Sequence, residues 1–372
     1  MEKVELGKLL KYEQPSKYIV KNSNYDNKYK IPVLTAGQSF ILGYTNEDIN
    51  VFPKEKLPVI IFDDFTTASK YVDFEFKVKS SAMKILKATK GINIKYVYYA
   101  MRKIKIDNQL HKRYWISQFS NVKINVPDLN RQKEIVDKID TIVNIMNLKE
   151  KQIIKLNELI KSQFVEMFGN PISNDRKMNY MEMPTVCEII DGDRGKNYPK
   201  VEEFFEKEYC LFLNAKNVTN NGFSFGNCMY ITKEKDNKLR NGKLKRGDVV
   251  LTTRGTVGNL AFYTEEIPFE NVRINSGMVI LRMKKDIVNE IFFIEQFKMQ
   301  LDNIKNKIAN GSAQPQLPIT KMNGIKVLIP PIELQNQFAE IVKQINKQKF
   351  EIEQSLKETE ELYETLMAKY FE

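Results

Sequence analysis

Two segments about two hundred residues apart read alike. Lys123-Ile-Asn-Val-Pro127 runs into Glu134-Ile-Val136 and Ile139, and Lys326-Val-Leu-Ile-Pro330 runs into Glu340-Ile-Val342 and Ile345. The chain is therefore two copies of one unit, each a strand-rich module, a proline punctuation and a long helix, and a repeat of this kind governs every later inference about the fold. The helical segments match at an offset of 206 and the segments before the prolines at 203, while Val4-Glu-Leu-Gly-Lys8 corresponds to Met181-Glu-Met-Pro-Thr185 at 177. The second module thus holds about 26 extra residues within the same frame. Two scaffolds presenting different surfaces would look like this, as would drift in surface loops.

The helices follow from the spacing of their apolar residues. Ile135, Ile139, Ile142, Met146, Ile153, Leu156, Ile160 and Met167 alternate steps of four and three, skipping Lys149 and Gln163, until Gly169-Asn-Pro171 stops the pattern. Ile341, Ile345, Ile352, Leu362 and Leu366 continue it in the second copy, interrupted by Gln348, Ser355 and Thr359. Helices of roughly 38 residues would be about 57 Å long. Each seam needs a cover, and the other helix is the expected one, in an antiparallel pair with the modules at its two ends. The expected fold class is α+β: two pseudo-repeated mixed α/β domains, 1–128 and 170–331, separated by two long antiparallel coiled-coil helices, 129–169 and 332–372. Within the modules, Val59–Phe62, Tyr71–Phe76, Asp248–Leu251 and Met278–Arg282 read as strands, and Ile94–Met101 and Ile287–Ile308 as helices. Turns with glycine are expected at Asp191-Gly192, Arg194-Gly195, Asn241-Gly242 and Arg254-Gly255.

Charge points to a partner. The formal +11 of the chain is concentrated in the modules, with 22 Lys and Arg against 13 Asp and Glu in residues 1–128, and 24 against 19 in residues 170–331. A polyanion is the expected partner of the modules, nucleic acid ahead of a membrane surface, because no basic amphipathic helix accompanies the excess; a lysine-rich style of composition is the plainer alternative. No apolar run approaches the ~18 residues of a membrane span and the first residues lack a signal peptide's apolar centre, so a cytoplasmic protein is expected. Three scattered cysteines, Cys187, Cys210 and Cys228, offer neither a disulfide framework nor a paired zinc motif. A single histidine, His111, leaves little room for His-based chemistry and is expected at the surface.

Several phrases carry a resemblance. They are Ile60-Ile-Phe-Asp-Asp-Phe-Thr-Thr67 running on to Lys70-Tyr-Val-Asp-Phe74, Phe212-Leu-Asn-Ala-Lys-Asn-Val218, Arg254-Gly-Thr-Val-Gly258, Ile274-Asn-Ser-Gly277, Gln314-Pro-Gln316 and the two proline-to-helix junctions. In this order and duplication the chain resembles, over essentially its full length, the specificity subunits of type I restriction-modification systems. The first module departs from the pattern, with His111-Lys-Arg-Tyr-Trp-Ile where the second has Gly311-Ser-Ala-Gln-Pro-Gln. The resemblance implies a non-catalytic subunit with two target recognition domains that reads a bipartite site in double-stranded DNA, the helices setting the gap. It also implies partners: two modification subunits carrying AdoMet, and ATP- and Mg²⁺-dependent restriction subunits, with no cofactor on this chain.

Side-chain chemistry agrees with DNA reading. Arg and Lys suit guanine and phosphate, and Asn and Gln suit adenine. The candidate contacts are Thr66, Thr67, Lys70, Tyr71, Lys112 and Arg113 in the first module. In the second they are Arg194, Lys196, Asn214, Lys216, Thr252, Thr253, Arg254, Asn275, Ser276, Gln314 and Gln316. A solvated loop would account for any one of them, so the expectation attaches to the clusters. Trp115 is expected half in the core, and Gly255 and Gly258 would allow close backbone approach to a phosphate or base edge. A competing enzymatic reading exists: Asp64, Glu75 and Lys77 have the spacing of a metal-dependent nuclease site, though alternating strand charge explains them as well. A protein-binding helical scaffold with incidental charge is a third reading.

Overall fold

The computed structural model describes residues 2–35, 39–104, 113–308 and 316–372. Two compact units emerge, one of residues 1–151 with 353–372 and the other of residues 152–352, so each takes one module and a part of both long helices.

In the first unit, β1 (Glu2–Glu5) pairs antiparallel with β9 (Lys123–Val126), closing the start of the module on its end. A four-stranded antiparallel sheet has the order β2 (Leu10–Glu13), β8 (Met83–Ala88), β5 (Val59–Asp63), β6 (Ser69–Val72). A second sheet orders β4 (Ile41–Thr45), β3 (Ile31–Leu34) and β7 (Lys77–Val78), with β3 and β7 parallel. The strand expected over Tyr71–Phe76 is split between these sheets. It leaves the first after Val72, and Phe76 stacks on Phe52 at 4.8 Å beside the second. Val72 and Phe76 nevertheless share one core, with Phe74 packed against it. The helix α2 (Ile94–Lys103) starts at Asn93, whose side chain accepts from the amides of Lys95 and Tyr96 as an N-cap.

The second unit repeats this plan. Between β10 (Tyr180–Glu182) and β20 (Lys326–Leu328), again paired, lies a sheet of β11 (Cys187–Asp191), β19 (Met278–Met283), β16 (Val249–Thr252) and β17 (Leu260–Phe262) in the order that matches the first. The second sheet matches too: β15 (Tyr230–Ile231), β12 (Cys210–Leu213) and β18 (Val272–Ile274), with β12 and β18 parallel. A short hairpin, β13 (Val218–Thr219) with β14 (Gly222–Phe223), is an addition of this module. The helix α7 (Glu290–Ile308) starts three residues later than expected, because Asn289 caps it as Asn93 caps α2.

The long helices are α4 (Leu129–Phe168) and α9 (Ile332–Phe371), each of 40 residues. They run antiparallel within each unit. In the first, Arg131 lies over the ring of Tyr370 while Lys149 reaches Ser355 and Thr359; in the second, Phe164 meets Phe338 edge-on at 5.4 Å while Asn157 accepts from Lys349 at 3.3 Å. Lys149, Ser355 and Thr359, which interrupt the two apolar seams, are thus one interaction.

Two details of the helical reading are corrected. The expectation that the seams mainly cover one another is too narrow. Ile135, Ile139 and Ile142, with Met146 against them, pack on Leu6, Phe62, Val97 and Tyr99 of the first module together with Tyr363, Met367 and Leu366. Ile160 and Ile345, flanked by Leu156 and Ile341, sit instead in the core of the second unit with Leu251, Phe292 and Val327. Ile153 and Ile352 are half-buried, and Leu362 is 49% exposed because its neighbour Tyr363 takes the core position. The helical repeat also runs at 203, not 206. Buried Gln132, Ile135, Val136, Ile139 and Ile142 correspond to buried Gln335, Phe338, Ala339, Val342 and Ile345. A three-residue shift is nearly one helical turn, so both alignments place apolar residues on one face.

The same offset exposes a device absent from the sequence reading. Buried Gln132 accepts from the amide of Asn93 at 2.9 Å and donates to the carbonyl of Pro127 at 2.8 Å. Gln335 does the same with Asn289 at 2.9 Å and Pro330 at 2.8 Å. Each glutamine ties the start of a long helix to the cap of its module's helix, satisfying backbone groups that burial would otherwise leave unpaired.

Candidate nucleic-acid interface

In the second module the candidates converge on one corner. The β16–β17 turn carries Thr253 and Arg254, the β18–β19 turn carries Asn275 and Ser276, the end of β11 leads to Arg194, and the segment after α7 returns at Gln316. Thr253 Oγ1 donates to the carbonyl of Gly277 at 3.0 Å, and the amides of Thr253 and Arg254 donate to the same oxygen. Gln316 pairs with Arg254 as an isolated antiparallel bridge, and the next amide, of Leu317, donates to Thr253 at 2.9 Å. Asp191, Arg194, Thr253, Arg254, Gln316 and Thr320 are among the residues around a concavity of about 210 Å³. Gly192 is required here: a Cβ on it would lie 2.2 Å from the carbonyl oxygen of Asn275, where the two loops touch. Gly255, with φ of 72° and open space around it, permits the turn beside Arg254.

Electrostatics fix the loops. Buried Asp193 accepts from the amides of Arg194 and Arg240. Burial alone would raise its pKa, but these amides, that of Asn241 and the Arg240 guanidinium together hold it below the usual range. The loop bearing Arg194 and Lys196 is anchored in this way, and Arg194 itself bonds Asp191 at 3.1 Å and the carbonyl of Ser276 at 3.3 Å. Lys196 and Lys216 are exposed.

Other candidates have structural roles. Buried Thr252 accepts from the amide of Asn259 and donates to Thr256, holding its own turn. Asn214 accepts from the amide of Lys216, and the Asn275 side chain from that of Gly277. Gly258 approaches protein instead of open surface, since a Cβ there would meet Leu301 at 2.1 Å.

The first module builds the same corner from other side chains. Strand register sets Asp64 where the second module has Thr253 and Phe65 where it has Arg254, and the 203 offset sets Arg113 where it has Gln316. The returning segment again docks through a backbone bond, from Tyr114 to the carbonyl of Asp64 at 2.9 Å. Thr66 and Lys70 are exposed on this hairpin, Thr66 bonding Asp63, and Thr67 occupies the left-handed region at φ 61°. Tyr71 faces inward, against Tyr98 and beneath the Lys95 ammonium, because alternation along β6 turns it away from Lys70. Trp115 is fully buried against Phe62, not half exposed. Lys112, His111 and Gln314 lie outside the described residues.

The residues of the nuclease reading are engaged separately. Asp64 is buried beside Lys84 at 3.4 Å and accepts from the amide of Trp115. Lys77 pairs with Glu47 at 3.0 Å and donates to the carbonyl of Ile49, while Glu75 is exposed. Asp64 and Lys77 are held by different partners and Glu75 is exposed, so the three share no partner among the described residues. Sequence reading also missed the buried Asp236–Arg273 pair, in which Arg273 further donates to the carbonyls of Asn241 and Leu239. No local pattern marks it, because Asp236, on the short helix after β15, and Arg273, on β18, are 37 residues apart.

Comparison with known proteins places this architecture. Residues 1–158 and 176–362 match the type I restriction modification DNA specificity domain. A 255-residue stretch is 35% identical to the EcoR124I/EcoR124II specificity subunit of Escherichia coli, covering 60% of this chain and 63% of that protein. The chain is also 26% identical over 315 residues to the MjaVIII specificity subunit of Methanocaldococcus jannaschii, covering 77% and 67%. The crystal structure of a type I restriction-modification S subunit from M. genitalium superposes with a TM-score of 0.64 at 15% identity, covering 100% of this chain and 96% of that one. No described helix is long and apolar enough to cross a membrane. With both modules and most of both helices inside the matched segments, the chain belongs to the type I restriction modification DNA specificity domain family.

Proposed function

We propose that this chain is the non-catalytic DNA-recognition subunit of a type I restriction-modification complex, each module reading one half of a bipartite target. The observation that carries the reading is the duplicated corner. Two modules with the same strand order bring a hairpin turn and a returning segment together at the same place, and fill that place with different side chains, Arg254 with Gln316 in one and Phe65 with Arg113 in the other. A common frame with divergent readers is what two unlike half-sites need. The net charges of +9 and +5 on the two modules supply the attraction to phosphates.

The helix pair serves as the spacer that fixes the gap. Two modification subunits carrying AdoMet methylate adenine at the address this chain supplies, and restriction subunits with ATP and Mg²⁺ join them for cleavage. The purified chain should bind duplex DNA with an affinity that falls steeply with salt, and should leave that DNA uncut in Mg²⁺. Binding indifferent to salt would favour a protein scaffold, and Mg²⁺-dependent cutting by the chain alone would overturn the non-catalytic role.

A further inference from the structure

Seven arginines lie between residues 170 and 331. Six have their guanidinium groups engaged by the protein: Arg176 by a carbonyl of α4, Arg194 by Asp191, Arg240 by Asp193, Arg246 by loop carbonyls, Arg273 by Asp236 and Arg282 by Asp248. Arg254 alone has no side-chain partner among the described residues. Its backbone, however, is held on both sides, by the carbonyl of Gly277 and by the bridge to Gln316. A guanidinium fork left free on a fixed main chain keeps all five donors for a ligand and loses little freedom of its backbone on binding.

The first module has two arginines, of which Arg102 lies over the ring of Tyr363. The other, Arg113, is exposed at the corner equivalent to that of Arg254. Here the hairpin wall offers no guanidinium, because Phe65 stands in the place of Arg254 and Asp64 before it is buried on Lys84 and the Trp115 amide. The arginine stands instead on the returning segment, next to the residue whose amide bonds Asp64. Each corner therefore presents one arginine whose guanidinium no described carboxylate holds, from different walls, Arg194 being taken up by Asp191.

We propose that each module reads one guanine through a single arginine, Arg254 in the second module and Arg113 in the first. The proposal rests on the chain being a DNA-recognition subunit and adds the base that each corner selects. Arginine is the side chain that matches the O6 and N7 acceptors of guanine in a bidentate fork, whereas a lysine keeps the charge and loses the fork.

The test is selection of bound duplexes from a random pool by the assembled complex containing the wild-type chain, Arg113→Ala, Arg254→Ala or the corresponding lysine variants. The wild type should yield a two-part consensus with a guanine in each half. Each alanine variant should lose preference for one guanine by about 5- to 150-fold, in different halves, with the other half unchanged. The lysine variants should lose the same preference while keeping most of the affinity. An unchanged consensus, both losses in one half, or uniform weakening with a salt slope lower by about one would overturn the arginine assignment and leave the DNA-recognition reading intact. No two-part consensus from the wild type would overturn that reading itself.

Discussion

The ammonium of Lys149 lies 2.7 Å from the hydroxyl of Thr359, and it also donates to the hydroxyl and carbonyl of Ser355. Three polar residues that break two apolar seams are thereby matched with one another. A polar contact at a single place in a helix pair selects one register, because any slip strands its members among apolar neighbours.

The first prediction concerns this contact. Ser355→Ala with Thr359→Val should cost about 1 to 3 kcal/mol, since it removes two acceptors from a half-buried ammonium. Lys149→Met should cost less, because the Thr359 hydroxyl already donates to the carbonyl of Ser355 within its own helix. Thermal unfolding of the three proteins gives the order; an equal or larger loss in Lys149→Met would refute it.

Gln132 and Gln335 provide the second. Gln132→Leu should leave the Asn93 amide and the Pro127 carbonyl without their partner, at about 2 to 4 kcal/mol, and Gln335→Leu should do the same for Asn289 and Pro330. Amide exchange should accelerate at the start of α2 in the first variant and of α7 in the second. Equal acceleration in both helices from either substitution would count against two separate latches.

A third prediction follows from Asp236, which is 1% exposed. Burial would raise its pKa, but hydrogen bonds and charge from Lys243 and Arg273 outweigh this and lower it. A carboxyl with a folded pKa below its unfolded value contributes stability above the unfolded pKa, and that contribution is lost as pH falls through the folded one. Asp236→Asn should therefore destabilise at neutral pH, by about 3 to 5 kcal/mol as it strands a buried arginine. Its acid limb should also be flatter than that of the parent. A constant difference in melting temperature from pH 7 to pH 2 would contradict the assignment.

How much of this was legible beforehand can be seen in particular residues. The repeat, the two long helices and the strands at Val59 and Met278 follow from local periodicity, and all are present. Leu362 was misplaced because a helical face tolerates a shift of about one turn, so identity of letters at 206 hid the structural offset of 203. The corner of the second module was marked by residue type at Arg254 and Gln316, but their juxtaposition is a bridge between segments 62 residues apart, which no local pattern records. Tyr71 and Thr252 were polar groups near the right place, with their side chains committed to packing or to their own turn.

The helix pair yields a fourth prediction. Inserting four residues, about one turn or ~6 Å, at matched points in α4 and α9 should lengthen the gap between half-sites by one or two base pairs and leave both half-site sequences unchanged. An altered half-site with the original gap would reject the spacer role.

The most direct test of the account is the methylome of cells with and without this chain, in the presence of its modification subunits. The account expects adenine methylation at a single two-part motif, with about 5 to 8 unspecified base pairs between halves whose centres are on the order of one helical turn apart, appearing only when the chain is present. Methylation that persists without the chain, or a motif with no gap, would contradict it.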